Sequence, residues 1–136
     1  MVRAAPETYD DANPNRTNYP SSFPNSNIIA VAATDNRDRR ASFSNYGTEM
    51  VDLAAPGVDI MSTLPDTCTW CSYWYNSGTS MATPHVTGVA ALLKSQYPNI
   101  GDGQMKSIIL DSVDKKTTLS GKVLSGGRLN VVKAIR

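Results

Sequence analysis

Three observations predict an α/β fold. Asn27 to Asp35 is a continuous apolar run closed by a polar turn, the pattern of a strand buried on both faces. Val58 to Thr63 alternates apolar and polar residues, as a half-buried strand does. Beyond Ser80 the period becomes helical, with Val86, Val89, Ala90 and Leu93 on one face at i, i+3, i+4 and i+7. A chain of 136 residues is enough for one domain with a sizeable core.

Composition excludes several function classes. Hydrophobic content of 40% and charged content of 18% fit an ordinary soluble globular protein. The net charge of +1 suggests no polyanion partner. Arg37, Arg39 and Arg40 are interrupted by Asp38 beside a polar turn, which reads as a solvated loop and not a nucleic-acid patch. No apolar run approaches the ~20 residues of a membrane helix. Met1 to Pro6 has no apolar h-region, so no signal peptide is expected in this chain.

Along the chain, residues 1–27 are rich in Pro, Asn, Asp and Ser and are expected to form an irregular loop. Asn15-Arg16-Thr17 is a glycosylation sequon, meaningful only on a secretory route. Trp70, Tyr73, Trp74 and Tyr75 are read as strand and hairpin packing, in preference to a platform for sugars or bases. Cys68 and Cys71, the only cysteines, fall at the expected hairpin tip. One Cys-x-x-Cys cannot make a four-ligand zinc site, and the pair does not open a helix as a thioredoxin-like motif would. A local disulfide and free thiols both remain open. Tyr97-Pro98-Asn99 should stop the first helix, and a second should start near Gly103 with Met105, Ile108 and Ile109 inward. Asp111 to Lys122 is polar and expected to be loop.

The chemistry concentrates at Ser80. Pro84 is tolerated only near a helix start, so the helix should begin within a few residues of Ser80, with Thr79 or Ser80 near the N-cap. A hydroxyl there sits among backbone N–H groups without helical partners, at the positive end of the dipole. An oxyanion forming beside it would find donors already aimed at it. A serine that merely caps the helix is the competing reading.

Gly78-Thr79-Ser80-Met81-Ala82-x-Pro84-His85-Val86-x-Gly88 is similar at all nine specified positions to the nucleophile motif of the subtilisin-like serine proteases, the subtilases. Arg40-x-x-Phe43-Ser44-x-x-Gly47, Ala55-Pro56-Gly57 and Gly127-x-Leu129-Asn130-x-x-x-Ala134 also resemble family segments. The resemblance implies the C-terminal portion of a mostly parallel sheet flanked by helices, as one partial domain over 1–136, with 1–18 matching poorly. It implies serine endopeptidase activity on peptide or protein substrates, with Ser80 as nucleophile and its own N–H as an oxyanion donor. Tyr19-Pro20 resembles the segment closing the substrate pocket, which would place Asn18, Tyr19 and Pro20 there and make the bond to Pro20 cis. The chemistry needs no cofactor. A structural calcium or monovalent cation is implied near Glu49 and Asp52, against the alternative of two solvated acids on a turn. The family also suggests a secreted setting.

Two family motifs do not appear here: the Asp-Ser/Thr-Gly and His-Gly-Thr-His-x-x-Gly segments carrying the catalytic aspartate and histidine. The one histidine, His85, is five residues past Ser80, turned by about 140° and displaced by about 7.5 Å on a helix, so it cannot be the base. It is expected to hydrogen-bond a neighbouring segment. The family's second oxyanion donor, an asparagine after Ala-Ala-Gly, is replaced by Pro6-Glu7 after Ala4-Ala5. The chain thus reads as the nucleophile half of a protease, whose partner would be the missing N-terminal half of the domain. The alternative is an inactive fragment used for binding or for nothing.

Overall fold

The computed structural model describes residues 1–4, 23, 25–63 and 72–136. Ile29–Thr34 forms a strand, β2, whose six residues are all buried, as the unbroken apolar run requires. It lies between β1 (Val2–Ala4) and β3 (Leu53–Pro56), parallel to both. β3 is followed across the sheet by β7 (Gly127–Arg128), also parallel, and the edge strand β6 (Asp114–Lys115) pairs antiparallel with β7. The order β1-β2-β3-β7-β6 is therefore a five-stranded, mostly parallel sheet. A separate antiparallel ribbon joins β4 (Ile60–Thr63) to β5 (Tyr73–Asn76).

Side-chain alternation divides the core. Val31, Ala33, Leu53 and Ala55 face helix α1 (Thr79–Gln96), which buries Ala82, Val86, Val89 and Leu93 against them. Ile109 of α2 (Asp102–Asp111) and Ala134 of α3 (Val131–Ala134) join the same cluster. On the opposite face, Ala32, Ala54 and Val51 are covered by Leu119 and Val123, from the 3₁₀ turn Thr117–Leu119 and the segment after it. Tyr97 caps the end of α1, and Asn130 caps α3 by accepting the Lys133 N–H.

Four expectations change. The first residues are not all loop: Val2–Ala4 is drawn into a strand by the exposed edge of β2. Asp111 to Lys122 is not plain loop, since β6 and the 3₁₀ turn fall inside it. The β4 strand forms as read but is mostly exposed, with only Ile60 partly covered. Its partner strand is exposed throughout, so the aromatic residues Tyr73, Trp74 and Tyr75 pair in a hairpin without being packed away. The sequon, Trp70, Cys68 and Cys71 lie outside the described residues; the two cysteines fall in the interval between β4 and β5.

Candidate active site

The helix carrying Ser80 starts one residue earlier than its serine and threonine suggested. Gly78 is the N-cap, with extended backbone and no side-chain cap bond. Ser80 is then the second helical residue, and its exposed hydroxyl has no hydrogen-bond partner among the described residues. This removes the capping reading. The Met81 and Ala82 N–H groups both donate to the Gly78 carbonyl, at 3.0 and 3.3 Å. The Thr79 and Ser80 N–H groups precede the first i−4 bond and have no acceptor inside the helix. A free hydroxyl thus stands beside its own unspent N–H, at the positive helix end.

Pro84 lies inside α1, further in than a first-turn position. It has no N–H to offer the Ser80 carbonyl. Neighbouring carbonyls of that turn are met by side chains: Thr83 Oγ1 donates to Thr79 O at 2.9 Å, and His85 Nδ1 lies 3.0 Å from Met81 O. The latter corrects the role expected for His85. Its ring is exposed and meets its own helix, not a neighbouring segment, because helical side chains lean toward the N-terminus. His85 is no base for Ser80.

What holds the serine turn is the sheet itself. Thr34 and Pro56 end β2 and β3 side by side. The Gly57 N–H donates to Thr34 O at 3.0 Å, and the Gly57 carbonyl accepts the Gly78 N–H at 2.8 Å. A Cβ on Gly57 would stand 2.6 Å from Ala33 Cβ and 2.8 Å from Gly78 O, so only glycine permits this approach. The Asp59 N–H adds a bond to Ser77 Oγ at 2.9 Å. Ser80 therefore sits beyond the carboxyl ends of parallel strands, where open α/β sheets place their sites. Sequence reasoning did not single out Ser77 or Asp59, and only the proximity of both to matched motifs could have marked them.

Of the remaining candidates, only Glu49 and Asp52 lie among the described residues. Asn18, Tyr19 and Pro20 lie outside the described residues, as does Glu7. Glu49 is exposed, whereas Asp52 is buried and fully engaged. Its Oδ2 accepts the Ala30 N–H and its Oδ1 meets Lys106 Nζ, both at 2.8 Å. Lys106 also donates to Ile28 O at 2.6 Å, pinning α2 to the start of β2. Asp52 is thus paired with the Lys106 ammonium. Among the described residues, no group of three or more His, Cys, Asp or Glu is arranged to hold a metal. Asp35 accepts the N–H groups of Arg37 and Arg39, and Asp38 pairs with Lys116 and Arg128, so the arginine stretch is a turn tied to the segments around β6 and β7. No helix among the described residues is long and apolar enough to cross a membrane.

The family model described as "Subtilase family" matches residues 1–126. The chain belongs to the subtilase family. It is 50% identical over 109 residues to the thermophilic serine proteinase of Bacillus sp. (strain AK1), covering 80% of this chain and 25% of that protein. It is 47% identical over 119 residues to thermitase of Thermoactinomyces vulgaris, covering 88% of this chain and 39% of thermitase. The chain therefore spans well under half the length of these curated relatives. A chain solved in work on the structural basis of subtilase cytotoxin SubAB assembly superposes with a TM-score of 0.79 at 29% identity, covering 98% of this chain and 47% of that one. The mostly parallel sheet flanked by helices is thus the subtilase architecture.

Proposed function

We propose that this chain supplies the nucleophile of a serine endopeptidase acting on peptide or protein substrates. The observation that carries the reading is the Ser80 hydroxyl, exposed and without a partner among the described residues, beside its own N–H, which has no acceptor inside the helix. In that reading Ser80 Oγ attacks the scissile carbonyl carbon, the oxygen takes up the negative charge facing the Ser80 N–H, and an acyl-enzyme forms as the amine leaves. Both groups belong to the protein, so the chemistry calls for no cofactor. The general base and its orienting carboxylate come from outside these 136 residues, since His85 is spent on Met81 O and the two motifs are missing.

The absence of the two motifs from this sequence supports a second reading, an inactive subtilase fragment that acts as a binding module or is non-functional. A fluorophosphonate probe separates the two. The serine oxygen bonds to phosphorus, fluoride leaves, and the hydroxyl proton passes to solvent or a base. Labelling of the purified chain that disappears in Ser80→Ala supports the enzyme. A well-folded chain that takes no label supports the fragment.

A further inference from the structure

Resting on the reading of Ser80 as the reacting group, the geometry points to Ser77 as a positioning residue for the nucleophile turn. Among the described residues, the turn that enters α1 hangs from the segment leaving β3 at two points, Gly78 and Ser77. One is backbone to backbone, Gly78 N–H to Gly57 O at 2.8 Å, and is anchored in turn by Gly57 N–H on Thr34 O. The other is made by a side chain: Ser77 Oγ accepts the Asp59 N–H at 2.9 Å, and the same hydroxyl donates a longer bond to Asp59 Oδ1 at 3.5 Å. Asp59 has a left-handed backbone, with φ of 54°, which a non-glycine residue adopts only when its surroundings hold it there. The bond to Ser77 aims that N–H back at the serine turn. Two-point attachment fixes the rotation of the Ser77-Gly78 unit about its single anchor. Because Gly78 is the N-cap, that rotation sets where the Ser80 N–H and Oγ point. Ser77 itself does not reach the reacting atoms; it acts through Gly78.

The test compares Ser77→Ala and Ser77→Thr with the wild-type 136-residue chain, by amide hydrogen exchange and by fluorophosphonate labelling. Ser77→Ala removes the acceptor of the Asp59 amide and with it the second attachment of the turn, so exchange of the Asp59 and Gly78 amides should quicken about fivefold, with Leu53 and Leu93 amides unchanged. Ser77→Thr, which keeps an oxygen at the same position, should restore the wild-type rate. Where the wild-type chain labels, Ser77→Ala should label about fivefold to tenfold more slowly, again with rescue by threonine. A Gly78 amide as slow in Ser77→Ala as in wild type overturns the proposal. So does faster exchange spread evenly through the sheet, which is a merely structural effect, or an unchanged labelling rate. If the wild-type chain does not label, the enzymatic reading fails, and the exchange comparison alone still decides how the turn is held.

Discussion

The strand β2 of the sheet and the strand β5 of the ribbon are both rich in apolar or aromatic residues but behave as opposites. Every residue of β2 is buried, whereas every residue of β5 is exposed, although β5 reads Tyr-Trp-Tyr-Asn. The difference lies in what covers each face. β2 has neighbours on both edges, α1 over Val31 and Ala33, and Val51, Leu119 and Val123 packed with Ala32. Among the described residues the ribbon pairs only with itself: Met61 stands opposite Tyr75 and Ser62 opposite Trp74, with consecutive aromatics pointing to opposite faces. Hydrophobicity buries a strand only when a second layer is available to receive it.

The largest test of that contrast is a truncation on each side. Leu93 is fully buried between α1 and the sheet, so Leu93→Ala should cost about 2–5 kcal/mol in urea unfolding. Trp74, 60% exposed, should cost no more than about 1 kcal/mol as Trp74→Ala. Equal losses would mean that the ribbon is packed in solution and that the contrast is false.

An intermediate effect belongs to the polar anchor inside the core. Asp52→Asn keeps the shape but removes the charge facing Lys106, and it leaves an ammonium with little access to water. The pair is partly screened, with side-chain exposures of 21% and 12%, so about 1–3 kcal/mol is expected, well short of a fully buried pair. Equilibrium unfolding of Asp52→Asn beside Lys106→Met sharpens the point. If the lysine variant is as stable as wild type, the ammonium was not needed to offset the carboxylate.

What the sequence made legible follows the same physics. Val86, Val89 and Leu93 announced α1, and the run from Ile28 announced β2, because burial against a large neighbour leaves a periodic trace. Ser80 stands out as a candidate through nine matching positions, not through its place near a cap, since the N-cap proved to be Gly78. β1 left no trace. Three residues, Val-Arg-Ala, carry no period, and their strand is dictated by pairing with residues near position 30. The exposure of Tyr73 to Tyr75 was equally invisible, because composition does not say whether a covering layer exists. The Asp52–Lys106 pair joins positions far apart in sequence, and only the folded chain brings them together. The contact of His85 with Met81 could have been read from i−4 spacing alone.

The smallest effect lies at the far edge of the sheet, where Asp114 ties β6 to β7 and α3. Its carboxylate meets Lys133 Nζ at 2.8 Å, Asn130 Nδ2 at 3.0 Å and Arg128 at 3.3 Å. The Lys133 bond, then that of Asn130, holds its pKa below the ordinary carboxylate value, and the charge of Arg128 adds to this. A carboxyl whose pKa is lower folded than unfolded contributes stability above its unfolded pKa of about 3.9. That contribution is lost as pH falls through the folded value. The stability gap between wild type and Asp114→Asn should therefore hold steady from neutral pH to about pH 5 and narrow below about pH 4. Asp35, also held low, first by the Arg39 amide, titrates in the same direction but is common to both proteins and cancels. A gap that stays constant down to the acid limit would show that Asp114 acts through packing alone. The edge of the sheet would then be held by shape, like its centre, and not by charge.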